Sequence, residues 1–214
     1  MAPTSQEVGR ETRTRLLCAA AELIAEDGWG AVSTRRVAER AGVRPALVHY
    51  HFRSVDNLLV QAALSALREE VDTLLTGLRE GADVGVGLDV FLAEVARFAA
   101  GGENTTLFSE TLLAATRHEQ LRTELREILA ECRTALTRWV AGQSDTGDAE
   151  ATAVLLLALL DGLVLHQIID PDLGSVSVHG PLRRLAGLAP ERHTDATQNL
   201  VDRPKAGGGP ASGS

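Results

Sequence analysis

Residues 34–53 read TRRVAERAGVRPALVHYHFR, and this stretch decides the fold. Val37, Ala38, Ala41, Val43 and Val48 recur at the offsets that two short helices need to pack across a tight turn. Ala38 stands where two steeply crossing helices leave no room for a larger side chain. Gly42 falls where the first of them must end in a left-handed residue, which costs any residue with a Cβ about 1 kcal/mol or more. Pro45 suits the first turn of the next helix, where its missing N–H is not needed. The pattern is that of a helix-turn-helix, and its first implied partner is double-stranded DNA.

Working outward, the preceding segment predicts an amphipathic helix over 11–27 with Leu16, Leu17, Ala20, Leu23 and Ile24 inward, stopped by Gly28. Trp29 and Val32 are expected to plug the underside of this small domain. Ser33 or Thr34 can cap the next helix, although Arg36 occupies the place where a reciprocal capping box wants Glu. A short helix follows over 45–51, then Phe52 as an anchor, then a long helix opened by Ser54, Asp56 and Asn57 and reaching residue 80. Its expected inward stripe is Leu58, Leu59, Ala62, Leu67, Val71, Leu74, Leu75 and Leu78.

Beyond a glycine-rich break at 81–87, helices are expected over 88–100, 105–117, 119–141, 149–169 and 179–186. Residues 154–165 are apolar nearly all round, so one side is expected to pack on its own core and the other on a second subunit. The resulting division is a flexible arm over 1–10, a helix-turn-helix domain over 11–54, a helical body over 55–188 and a disordered tail over 189–214. No internal repeat is visible.

Composition agrees with an all-α chain. Aromatics are 3%, hydrophobic residues are 44%, and no run alternates with period two. The formal net charge of −8 conceals an asymmetry, because residues 33–53 hold five arginines against the single acid Glu39. A locally basic face on an acidic body can still hold DNA, since phosphate attraction is short-ranged in physiological salt. Cys18 and Cys132 are far apart within apolar helical patterns and read as small core residues in a reducing compartment. With no apolar signal segment at the N-terminus, and with Asp161 and His166 interrupting the greasiest run, the expectation is a cytoplasmic protein without a membrane span. No nucleophile elbow, phosphate loop, dinucleotide fingerprint or metal spacing is present, so the residues predict neither an enzyme nor a cofactor nor a metal site.

The combination of a first helix ending in DGW, then STRRVAERAGV, PALVHYHF and RSVDNLL, resembles the TetR family of one-component bacterial transcription regulators. In motif terms the resemblance covers a quarter of the chain. It implies an N-terminal three-helix DNA-binding domain, joined by a long fourth helix to a C-terminal ligand-binding and dimerisation bundle. It also implies a homodimeric repressor that binds a near-palindromic operator and is released by a small-molecule effector. Two positions depart from the family pattern: His49 stands where a phosphate-contacting Tyr is common, and Val55 where a Lys is common.

Expected DNA contacts are Thr34, Arg35, Arg36, Arg44, Pro45, Ala46, His49, Tyr50, His51 and Arg53. Arg44 suits guanine readout through two N–H donors, with a phosphate contact or a solvated side chain as the plainer reading. His49 and Tyr50 suit phosphate or sugar, and His51 suits DNA and the core equally. Expected ligand-pocket residues are Phe91, Val95, Phe98, Phe108, Thr111, Leu112, His118, Leu129, Cys132, Leu136, Trp139 and His166, although ordinary cores are lined by the same residue types. The expected dimer contacts are Leu155, Leu159, Asp161, Gly162 and Leu163. For Asp161 an interface or a structural hydrogen bond is preferred over a ligand role. Two other classes remain open: a constitutive or activating DNA-binding protein with no effector, and a helical protein-interaction module.

Overall fold

The computed structural model describes residues 4–80, 103–143 and 148–185, and every regular element among them is helical. The α-helices are α1 (Ser5–Asp27), α2 (Thr34–Arg40), α3 (Pro45–His51), α4 (Val55–Glu80), α5 (Glu103–Ala115), α6 (Glu119–Gln143), α7 (Ala149–Ile169) and α8 (His179–Leu185), with 3-10 turns at Trp29–Ala31 and Pro171–Ser175. The helix expected over 88–100, with Phe91, Val95 and Phe98, lies outside the described residues, as does the expected tail from 189.

Helix α1 starts at Ser5, so the segment expected to be a flexible arm is helical from residue 5. The cause is local chemistry. Thr4 accepts from the Glu7 N–H while Glu7 Oε2 accepts from the Thr4 N–H at 2.6 Å, satisfying two of the free donors of the first turn. The other end stops at Gly28, whose φ of +81° and N–H bond to the Ile24 carbonyl turn the chain out of the helix.

Two apolar cores result. The head core gathers Leu16, Ala19, Ala20, Leu23 and Ile24 of α1 with Val32, Val37, Ala38, Val48 and Phe52. It is completed from outside the expected 11–54 domain by Leu58, Leu59 and Ala62 of α4 and by Leu107 of α5. The body core joins Val60, Leu64, Val71 and Leu75 of α4 to Leu121, Leu125, Ile128, Cys132, Leu136, Trp139 and Val140 of α6, and to Ala153 and Leu156 of α7. Helix α4 therefore buries opposite faces in turn. That is why Val60, Ala63 and Leu64, outside the stripe read from periodicity, are buried as well.

Cys18 departs from expectation. It is exposed, because it points to the far side of α1 from the stripe that carries Leu16, Ala20 and Leu23. Cys132 is buried as expected, and its thiol is pushed up to about 11 by burial and then by the carboxylates of Glu131, Asp161 and Asp72.

Candidate nucleic-acid interface

The turn between α2 and α3 is built from a few backbone bonds. Ser33 caps α2 by accepting from the Arg36 N–H, Ala41 N–H donates to the Val37 carbonyl at 2.9 Å, and Val43 N–H donates to the Ala38 carbonyl at 2.9 Å. Gly42 between them takes φ +64°, the left-handed conformation that its position in the sequence predicts. Val37, Ala38 and Val48 are fully or almost fully buried and fix the crossing of the two helices.

On the outer side, Arg44, Pro45, Ala46, His49, Tyr50 and Arg53 are exposed, Tyr50 by 81%. Thr34 at the start of α2 is half-buried, with Arg35 exposed beside it. His51 is half-buried, its ring edge-on to Tyr50 at 5.0 Å and tilted against Phe52 at 6.4 Å, so it joins an aromatic string that braces the exit of α3. The Arg13 guanidinium lies over the Phe52 ring at 5.3 Å and donates to Gln61, which in turn donates to Asn57 at 2.6 Å, tying α1 to α4 beneath the same exit.

The arginines divide into two groups. Arg36 pairs with Asp27 at 2.5 Å and also donates to the Ala31 carbonyl. Arg40 holds Glu26 through two N–H donors at 2.9 and 2.5 Å and reaches Glu22 at 3.1 Å, and it keeps the Glu26 carboxyl below its ordinary range. These two side chains fasten α2 to α1. Arg35, Arg44 and Arg53 make no ion pair among the described residues and are exposed.

A model of bacterial regulatory proteins of the tetR family matches residues 16–62, and a model of the tetracyclin repressor-like C-terminal domain matches residues 87–198. The chain belongs to the TetR family. It is 30% identical to the HTH-type transcriptional regulator BetI of Rhizobium meliloti over 174 residues, covering 75% of this chain and 81% of that one. It is 26% identical to the HTH-type transcriptional regulator TtgR of Pseudomonas putida over 196 residues, covering 86% and 92%. Among solved structures, a transcriptional regulator from Rhodococcus sp. Rha1 superposes with a TM-score of 0.67 at 31% identity, covering 82% of this chain and 94% of that chain. TetR-family proteins are DNA-binding transcription regulators and not enzymes, and this chain is one of them.

The TetR-like body places the residues expected to bind a ligand in several environments. Phe108 and Thr111 line a recess between α4 and α5, together with Ala63, Ala66, Leu67, Glu70, Asn104 and Leu107. Asn104 donates to Glu70 at 2.6 Å across it, and the Thr111 hydroxyl donates to the Leu107 carbonyl of its own helix. The α4 residues of this recess lie outside the expected pocket, which is confined to later helices. Leu112 and Leu129 pack at the edge of the body core, and Cys132, Leu136 and Trp139 lie within it. His118 sits elsewhere, its ring 5.5 Å from Trp29 at the junction of head and body. His166 is exposed.

On α7, Leu155 and Leu159 are exposed, alongside Val154, Leu165, Ile168 and Ile169, while Gly162 and Leu163 are half-buried. Asp161 is half-buried near Cys132, and burial alone pushes its carboxyl up to about 6. It has no hydrogen-bond or ion-pair partner among the described residues.

Proposed function

We propose that this chain is a homodimeric repressor that holds a near-palindromic operator and lets go when a small-molecule effector occupies the body. The observation that carries the reading is the division of the arginines. Two are spent on fastening α2 to α1, while Arg35, Arg44 and Arg53 are exposed and make no ion pair among the described residues, as Tyr50 is exposed on α3. In this account Arg44 reads guanine, and Pro45 and Ala46 let the start of α3 come close to the groove floor. Tyr50, His49, Arg35, Arg53 and Thr34 position the head on phosphate and sugar. Arg36, whose guanidinium is already engaged, contributes through the placement of α2.

Support for a dimer comes from α7. By length and composition it could cross a membrane, yet it follows a DNA-binding head, and its exposed Leu155, Leu159, Leu165 and Ile169 suit a symmetric contact with a second copy. The cytoplasm is the compartment that fits a DNA-binding dimer. Support for effector release comes from α5, which lines the recess with Phe108 and Thr111 and sends Leu107 into the head core. An effector that prefers one placement of α5 shifts the separation of the two heads, provided its affinity differs between the two states.

The test is a footprint on the promoter beside the protein's own gene. The reading expects two protected half-sites related by two-fold symmetry and about one helical turn or slightly more apart. A footprint without symmetry, or no protection, would overturn it.

A further inference from the structure

Among the exposed side chains of α3, Leu47 is the largest with no charge, hydroxyl or ring nitrogen to offer DNA. Leu47 is 36% exposed, follows Ala46, and stands one turn before Tyr50. It belongs to neither apolar core, whereas its neighbour Val48 is completely buried in the head. Single exposed leucines are ordinary on protein surfaces. This one lies on the face that carries Arg44, Ala46 and Tyr50, and Leu47 N–H donates to the Arg44 carbonyl at 2.9 Å, which fixes the two residues in register within one turn.

The major groove presents a single apolar feature, the C5-methyl group of thymine. We propose that Leu47, with the methyl side chain of Ala46, reads thymine next to the base pair taken by Arg44, so that each operator half-site carries a thymine whose methyl group is buried against Leu47. A polar side chain at 47 could bond a phosphate and would bring no such preference. The proposal rests on the placement of α3 in the major groove under the proposed function.

The experiment uses the full-length protein and its footprinted operator, with each thymine replaced in turn by deoxyuridine, which lacks only the methyl group. The wild-type protein should bind about fourfold more weakly at one or two symmetric positions per half-site, the effect of leaving one methyl group unburied. Leu47→Ala and Leu47→Ser should be indifferent to the same replacements. Deoxyuridine without effect at every position would overturn the proposal. So would sensitivity that persists in both variants, or a loss of affinity in both variants with no deoxyuridine effect in the wild type, since Leu47 would then rest on deoxyribose. If no operator is found, the regulator reading fails first and this one with it, which separates the two failures.

Discussion

The backbone N–H of Trp29 donates to Glu110 Oε2 at 2.9 Å, joining the first turn after α1 to the middle of α5 across 81 positions of sequence. Glu110 also lies against Gly28, where a Cβ would meet its carboxylate at 3.4 Å, and the Trp29 ring packs against both cores and against His118. Head and body are thus coupled through a charged acceptor on a half-buried backbone donor, a bond stronger than a neutral one.

Glu110→Ala should lower unfolding free energy by about 1–2 kcal/mol, because the Trp29 N–H loses its acceptor in a partly dry site. Glu110→Gln keeps a side-chain oxygen and should recover most of that. Denaturant titration of the three proteins checks it, and equal midpoints for Ala and wild type would mean that the bond adds nothing.

Asp161 gives a pH signature. Its folded value, about 6, lies above the ordinary 3.8, so the native state holds the proton more tightly than the unfolded chain. The carboxyl therefore costs nothing at pH below about 3.8, destabilises increasingly as pH rises from there to 6, and carries its full cost above 6. Asp161→Asn should raise stability at pH 7.5 by roughly 1–2 kcal/mol after allowing for solvent screening. The gain should shrink toward zero near pH 4. Melting curves across this range check the sign.

The two thiols should differ sharply. At pH 7.5 iodoacetamide should modify Cys18, which is exposed, and spare Cys132, which is buried with its thiol held far above neutrality. Peptide mass mapping after brief labelling reads this directly. Equal labelling would mean that the body opens around α6.

These cases mark what the sequence makes legible. Ser33, Gly42 and Pro45 act on backbone within a few residues, so α2, its turn and α3 could be read from spacing alone. Arg36 and Cys18 could not. Whether an arginine meets Asp27 or a phosphate depends on how α2 lies against α1, and Cys18 follows from which face of α1 the head covers. The Thr4 and Glu7 box carries no periodic signal, because residues 1–7 hold no apolar residues other than Met1 and Ala2. The recess on α4 was hidden for a different reason, since Ala63 and Ala66 are ordinary helix formers until α5 is laid against them.

Arg35 and Arg53 should act on affinity without acting on sequence preference. Replacing either with Ala should weaken operator binding uniformly and reduce the slope of log affinity against log salt by about one. Binding isotherms at several salt concentrations check this, and an unchanged slope for both variants would place these side chains away from the phosphates.

In the proposed function the surface around Arg44 reads DNA while Arg36 serves the fold. Fluorescence anisotropy with the footprinted operator tests it most directly, comparing Arg44→Ala with Arg36→Ala. Arg44→Ala should lose at least about fivefold in affinity, with relaxed preference at one base pair per half-site. Arg36→Ala should bind within about twofold of wild type and lose at most about 1 kcal/mol of stability. Wild-type affinity in Arg44→Ala, or a larger loss in Arg36→Ala than in Arg44→Ala, would contradict it.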